Sequence, residues 1–276
     1  MAGVCEHRPG ARPVITTTAL DQWRHKVPWL PTDQIEQDLV LSRMIVEIAN
    51  HPLLGDELVF RGGTCLHKLL LDRPLRYSED LDYVRRSSGG VGEVLDALRE
   101  VGDNVGFDQI RTQVSKHPKV RFDSTFLDGG LLRVKVEMNT FERSPARPLQ
   151  RISFGIDSPW FAGTAEVLTF AMEELVATKI RALYQRSKGR DLFDLWLAVE
   201  HAGLAPVAIA ACFAPYRPDG WSKPLAIDNL TDKVSDRRFV DDLSLLIPTR
   251  PPNYAREAGA AVAHAVLAAI AHGAAR

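Results

Sequence analysis

Cysteine is scarce in this 276-residue chain: Cys5, Cys65 and Cys212 stand far apart, with no CxxC spacing. That excludes a disulfide framework and suits a reducing compartment. An excess of one charge is missing too. The formal net charge is −1, so any site for a polyanion must be a local patch rather than a global field. The first thirty residues hold no continuous apolar stretch of the kind a signal peptide needs. The most apolar tail, residues 258–271, is mostly alanine and reads as a helix rather than a membrane span. A cytoplasmic protein with no membrane partner is therefore expected. No internal repeat and no low-complexity tract is present. With 45% hydrophobic and 25% charged residues, the length suffices for a sizeable core and two lobes.

Periodicity divides the chain into an N-terminal extension over 1–30, a mixed core over 31–165 and a helical lobe over 166–276. The extension is rich in Pro and Arg. From Thr32, with Thr32 or Asp33 as cap, Leu41, Met44, Ile45 and Ile48 recur at helical spacing. Leu58-Val59-Phe60 reads as a short strand entering Gly62-Gly63, and a short helix follows through Leu66, Leu69 and Leu70. Strands are expected over 81–84, 131–138 and 152–156, with a helix over 91–101. Ser158-Pro159 and Gly163 mark a loop. Beyond it the pattern predicts helices over 171–187, 190–202, 205–213 and 254–272. The fold class is α+β, mixed first and helical later.

The chemistry concentrates in two stretches, Phe60-Arg61-Gly62-Gly63-Thr64 and Arg76-Tyr77-Ser78-Glu79-Asp80-Leu81-Asp82-Tyr83. Glycines let the backbone approach a ligand closely. On a strand, Asp80 and Asp82 share one face, about 6–7 Å apart at Cα. Two such carboxylates repel unless a cation joins them, and Mg²⁺ commonly binds through one or two carboxylates plus substrate phosphates. Glu137, mid-strand between Val136 and Met138 with Lys135 and Arg133 on its face, is a candidate third acid. In the later helix Lys179 falls in register with Leu175 and Leu183, and either extends to solvent or enters a cleft. Asp191 is a candidate helix cap, with Asp194 on the same side. Lys116, Lys119, Arg121, Arg143, Arg147 and Arg151 are candidate contacts to a nucleic-acid backbone.

Taken in order, Gly62-Gly63-Thr64, Arg76-x-Ser78-x-Asp80-x-Asp82, Val134-Lys135-Val136-Glu137, Glu174-Leu175-x-x-x-Lys179 and Arg190-Asp191-Leu192-Phe193-Asp194-Leu195 resemble the AbiEii/AbiGii family of nucleotidyltransferase toxins, over about residues 35–205. The resemblance implies a DNA polymerase β-like nucleotidyltransferase core followed by a helical C-terminal lobe. It implies metal binding by Asp80 and Asp82, and catalytic roles for Asp80, Lys179 and Asp194. Nucleotide contacts would come from Gly62, Gly63, Thr64, Arg76, Ser78 and Lys179. It further implies a toxin that moves NMP from an NTP, with Mg²⁺, onto the 3′ CCA end of tRNA, so that aminoacylation and translation stop. A cognate antitoxin is the implied partner, and Ser78 matches a position that some relatives have phosphorylated. The residues alone also admit transfer to a protein or small-molecule hydroxyl, or a non-catalytic module that binds RNA or a partner.

Overall fold

Strands with one wet face account for the sheet at the centre of the first part of the chain. The computed structural model describes residues 14–244, 246–248 and 254–271; Cys5, the first thirteen residues of the expected extension and the last residue of the helix expected over 254–272 lie outside them. Seven strands form: β1 (Leu58–Arg61), β2 (Asp80–Arg85), β3 (Gln109–Gln113), β4 (Lys119–Thr125), β5 (Leu131–Asn139), β6 (Gln150–Asp157) and β7 (Ala162–Thr169). Their order across the sheet is β3-β4-β5-β2-β1-β7-β6. β2 runs parallel to β5 and β1 parallel to β7, while every other pairing is antiparallel.

Alternation sorts these strands into two faces. Leu81 and Tyr83 on β2, Val120 and Phe122 on β4, and Val134, Val136 and Met138 on β5 are all buried. The helices of this part are α1 (Thr17–Trp23), α2 (Thr32–Asn50), the single turns α3 (Leu54–Glu57) and α4 (Gly62–Cys65), and α5 (Gly92–Val105). α2 and α5 pack on the sheet, and α5 presses so close that a Cβ at Gly102 would overlap the Phe122 and Ile110 side chains. α5 repeats Val94, Leu98, Val101 and Val105 inward and stops at Gly106, whose φ of +100° only glycine adopts easily.

α2 is buried almost all round, so its polar residues need partners. Asp38 accepts the indole N–H groups of Trp23 and Trp29, each at 2.9 Å, and pairs with Lys68 at 2.9 Å. Glu36 accepts the backbone N–H of Leu127 at 3.1 Å. Pro31, rather than Thr32 or Asp33, occupies the cap position, and no side chain caps this helix. The short helix expected around Leu66–Leu70 is the π-helical continuation of α4.

The second part is helical: α6 (Met172–Gln185), α7 (Gly189–Glu200), α8 (Pro206–Ala211), α9 (Lys223–Ser235), α10 (Arg237–Asp241) and α11 (Arg256–Ala269). Phe193 and Trp196 of α7 pack against Tyr254 at ring distances of 4.8 and 4.9 Å. α9 starts where the Ser222 hydroxyl accepts from the Leu225 N–H. The chain thus forms two compact units, one of residues up to Arg143 with Gln150–Thr169, the other of Ser144–Leu149 with the residues from Phe170 onward. One expectation fails outright. Residues 162–169 are not a loop running into helix but the strand β7, placed beside β1 through Phe60 and Thr169. Ala165 and Val167 alternate with exposed Thr164 and Glu166, a period that alanine- and glutamate-rich wording masks.

Burial raises the Glu36 carboxyl to about 7, against the lowering pull of the Leu127 N–H. Its folded-state value lies above its unfolded one, so ionisation weakens the fold as pH climbs from about 4.5 to about 7 and costs a constant amount above that. Glu36→Gln keeps an acceptor and loses the charge. Its melting temperature at pH 8 is expected about 2–4 °C above wild type, with the gain vanishing at pH 4; calorimetry across that range checks it.

Candidate active site

Strand register assembles the first cluster. Arg61 of β1 lies opposite Asp82 of β2, Asp82 beside Glu137 of β5, and Glu137 opposite Lys119 of β4. One step along, Asp80 pairs with Lys135, Lys135 with Arg121, and Arg121 with Arg111. Cross-strand partners share a face, so both rows stand on the side of the sheet opposite Leu81 and Val136. Asp80 and Asp82 are therefore neighbours on one face. Asp80 is open to solvent, its side chain 41% exposed, and Lys135 reaches it at 3.0 Å. Lys135 also lies 3.6 Å from Glu137, which Lys119 holds at 3.1 Å.

Asp82 is the strained member. Burial, then Asp80 beside it, pushes its carboxyl above the usual aspartate range; Glu137 adds to this while Arg61 and Lys135 oppose it. Lys135 is held above its ordinary value: burial works against its charge, but Asp80, Glu137 and Asp82 outweigh that. The glycine turn closes on this cluster. Gly62 has φ of +84°, and a Cβ there would stand 2.5 Å from Asp82 Oδ2. A Cβ at Gly63 would collide with the Arg76 guanidinium and come within 3.1 Å of Ser78 Oγ. Thr64 Oγ1 lies 2.9 Å from Ser78 Oγ and 2.5 Å from the Asp80 carbonyl. Gly62, Gly63, Thr64, Arg76, Ser78, Asp80, Asp82 and Glu137 are thus all local to the end of β1, the start of β2 and the stretch of β5 beside it. Arg76 is buried and donates to the Tyr77 carbonyl at 3.0 Å.

Among the described residues no three His, Cys, Asp or Glu side chains are grouped to cage a metal ion. Two carboxylates, one of them disfavoured as an anion and cradled by a glycine, suit a divalent ion that takes its other ligands from substrate. The donor set fits an oxygen-preferring cation and not a zinc site.

The second unit holds a separate charged group. Lys179 on α6 is 5% exposed and bonds Asp191 at 3.2 Å and Asp194 at 2.7 Å, both fully buried on α7. The lysine therefore neither extends to solvent nor stands unpaired. Asp191 also receives Arg186 at two nitrogens, 2.8 and 2.9 Å away. Burial alone would raise its carboxyl, but Lys179 and Arg186 bring it below the usual range. Asp191 is not the cap of α7; Lys188 holds that position and Asp191 sits within the first turn. Glu174 of the same unit accepts the Ala146 and Arg147 N–H groups and the Tyr216 hydroxyl.

Sequence reasoning missed Arg61 as a site residue, along with Glu142, which pairs with it at 2.5 Å. Arg61 adjoins the glycine pair, but its partner is eighty-one positions away and no local pattern announces it. Of the candidate basic contacts, Lys119 and Arg121 stand on the carboxylate face. Arg147 is engaged by Cys212 and Glu173, and Arg151 by Asp56 and the Glu166 carbonyl.

A mixed sheet carrying paired carboxylates beside a glycine turn is the layout of a nucleotidyltransferase. The model of the family described as nucleotidyl transferase AbiEii toxin, type IV toxin–antitoxin system, matches residues 43–265. The chain belongs to this family: it is a nucleotidyltransferase toxin of a type IV toxin–antitoxin system, and membership implies an antitoxin partner. Solved structures share the fold. MenT4, the nucleotidyltransferase toxin Rv2826c of Mycobacterium tuberculosis H37Rv, superposes with a TM-score of 0.66 at 22% identity, covering 95% of this chain and 91% of that one. JHP933 from Helicobacter pylori gives 0.56 at 16% identity, covering 88% and 93%. No curated protein sequence matches the chain. No helix among the described residues is long and apolar enough to cross a membrane.

Two substitutions probe these clusters. Gly62→Ala forces a methyl group against Asp82 and strains the turn; nucleotidyl transfer is expected to fall about 10-fold or more while the melting temperature drops only slightly. Lys179→Met leaves two buried aspartates facing each other and is expected to cost about 3–5 kcal/mol of stability in urea unfolding.

Proposed function

We propose that this toxin transfers NMP from an NTP, with Mg²⁺, to the 3′ CCA end of tRNA, so that the modified end no longer accepts an amino acid and translation stops in the cytoplasm. The observation that carries the acceptor reading is the basic row leading away from Asp80. Lys135, Arg121 and Arg111 follow one another across three strands, and like charges placed side by side repel. Lys135 and Arg111 have Asp80 and Asp123 to offset them, whereas the Arg121 guanidinium has no ion pair or hydrogen bond among the described residues. An exposed cation between two others invites a polyanion, and a nucleic-acid backbone delivers one phosphate after another.

Each residue then has a task. Asp80 and Asp82 would hold the metal ion, which when bound would neutralise the negative charge of an in-line displacement. The Gly62-Gly63 backbone, Thr64, Arg76 and Ser78 receive the triphosphate. Lys179 is the residue proposed for the nucleotide phosphates. Asp194 fixes its ammonium, and Glu137, paired with Lys119 and close to Lys135, is the third acid. The acceptor 3′ hydroxyl attacks the α-phosphorus, the bond to the bridging oxygen breaks, and pyrophosphate leaves. Phosphorylation of Ser78 would add negative charge beside Asp80 and oppose metal and triphosphate alike.

Incubation with α-labelled NTPs, Mg²⁺ and either total tRNA or a protein extract tests the acceptor. Label at RNA 3′ ends, lost with EDTA, is expected; label confined to protein or small molecules overturns the tRNA reading. Asp82→Asn is expected to lower transfer about 100-fold or more while raising the melting temperature at pH 7. The sign follows from the raised carboxyl: its ionisation burdens the fold at neutral pH, so the gain fades below about pH 4, where the aspartate is protonated in either state.

A further inference from the structure

We infer that Phe141 is a stacking platform for the unpaired 3′-terminal base of the acceptor RNA, with Lys116 and His117 completing it; the inference rests on the RNA-acceptor reading above. Phe141 is 46% exposed, although large apolar side chains rarely gain from facing water. A single exposed ring means little by itself. Here the backbone that carries the ring is tied on both sides. Asn139 Oδ1 accepts the N–H groups of both Phe141 and Glu142 at 2.9 Å, and the Phe141 carbonyl accepts the Arg143 N–H at 2.9 Å. Glu142, the next residue, is tied to Arg61, the cross-strand neighbour of Asp82.

The turn between β3 and β4 is brought alongside. The Pro118 carbonyl accepts the Met138 N–H at 2.9 Å, and Thr140 lies against the Lys116 carbonyl. As a result the Lys116 ammonium stands 5.1 Å from the Phe141 ring centre, and the His117 ring meets it edge-on at 5.1 Å. Phe141 follows Glu137 by four residues, a span of at most about 14 Å even if fully extended. An exposed aromatic ring with a cation on it, on a tethered backbone four residues past Glu137, matches how single-stranded RNA ends are gripped. Bases stack on aromatic faces while lysine and arginine follow the backbone. An NTP needs no such extension of the basic row, since its charge ends at the triphosphate.

The test compares a short RNA with an unpaired 3′ nucleotide against the same RNA with an abasic 3′ residue, which keeps the acceptor hydroxyl. Wild type is expected to favour the intact RNA in kcat/KM by about 5- to 100-fold, the worth of one stacked base. Phe141→Ala should lower transfer to the intact RNA to the abasic level, leave the abasic rate and the KM for NTP unchanged, and keep the wild-type melting temperature. Phe141→Trp should restore the preference. If Phe141→Ala retains the full preference, or slows both RNAs equally, the platform is wrong while the acceptor reading stands. A wild-type protein that labels neither RNA overturns the acceptor reading and the platform with it.

Discussion

The parallel pairing of β2 with β5 in a single register is the constraint from which the rest of the active face follows. It sets Asp82 beside Glu137 and Asp80 beside Lys135, and through the next pairing brings Lys119 and Arg121 into line. A slip of one residue would turn Asp80 and Asp82 toward α2 and α5 and send Leu81 and Tyr83 into water. The buried residues on the far face, Leu81, Val136, Val120 and Phe122, therefore define where the charges stand as surely as any contact among the charges themselves. Packing and electrostatics are coupled through the pleat.

What results is a face with its local charges unbalanced in two opposite ways. At Asp82, burial and a like-charged neighbour make the anion unfavourable. At Arg121, three cations succeed one another with anions only at the flanks. Neither arrangement helps the folded protein on its own, and each is relieved by an outside charge of the opposite sign. Stored imbalance of this sort is usual where a protein handles a charged ligand. The Lys179–Asp191–Asp194 group of the helical unit differs. Its charges satisfy one another in a buried setting, so it doubles as part of the unit's core and its removal cannot be read as chemistry alone.

Much of this was legible in the amino-acid order. Asp80 and Asp82 at i and i+2 between apolar residues announce a shared face, and the alternation over Leu131–Met138 announces β5. Gly62-Gly63 announces a turn of unusual backbone, and Gly62 indeed carries the positive φ. The helices α6, α7, α8 and α11 were visible from their periodic leucines and alanines. Other elements were not. β7 was hidden because Ala, Glu, Val and Leu serve helix and strand alike in a short run. β3 is an edge strand of mostly polar residues, Gln109 to Gln113, with too few apolar positions to show a period. α9 and α10 bury little, so their stripes are faint.

Composition and local order by themselves determined an α+β chain with paired carboxylates, a glycine turn and a lysine in a helical stripe, because the periods of 2 and 3.6 are properties of the backbone. Only the tertiary structure decided which distant charges meet. Arg61 finds Glu142, Lys119 finds Glu137, and Lys179 is enclosed by two aspartates instead of reaching water. Nothing in a chain's local spacing encodes those meetings. They depend on strand order and helix docking, which the whole hydrophobic core selects at once, and charged side chains then take the partners that burial leaves within reach.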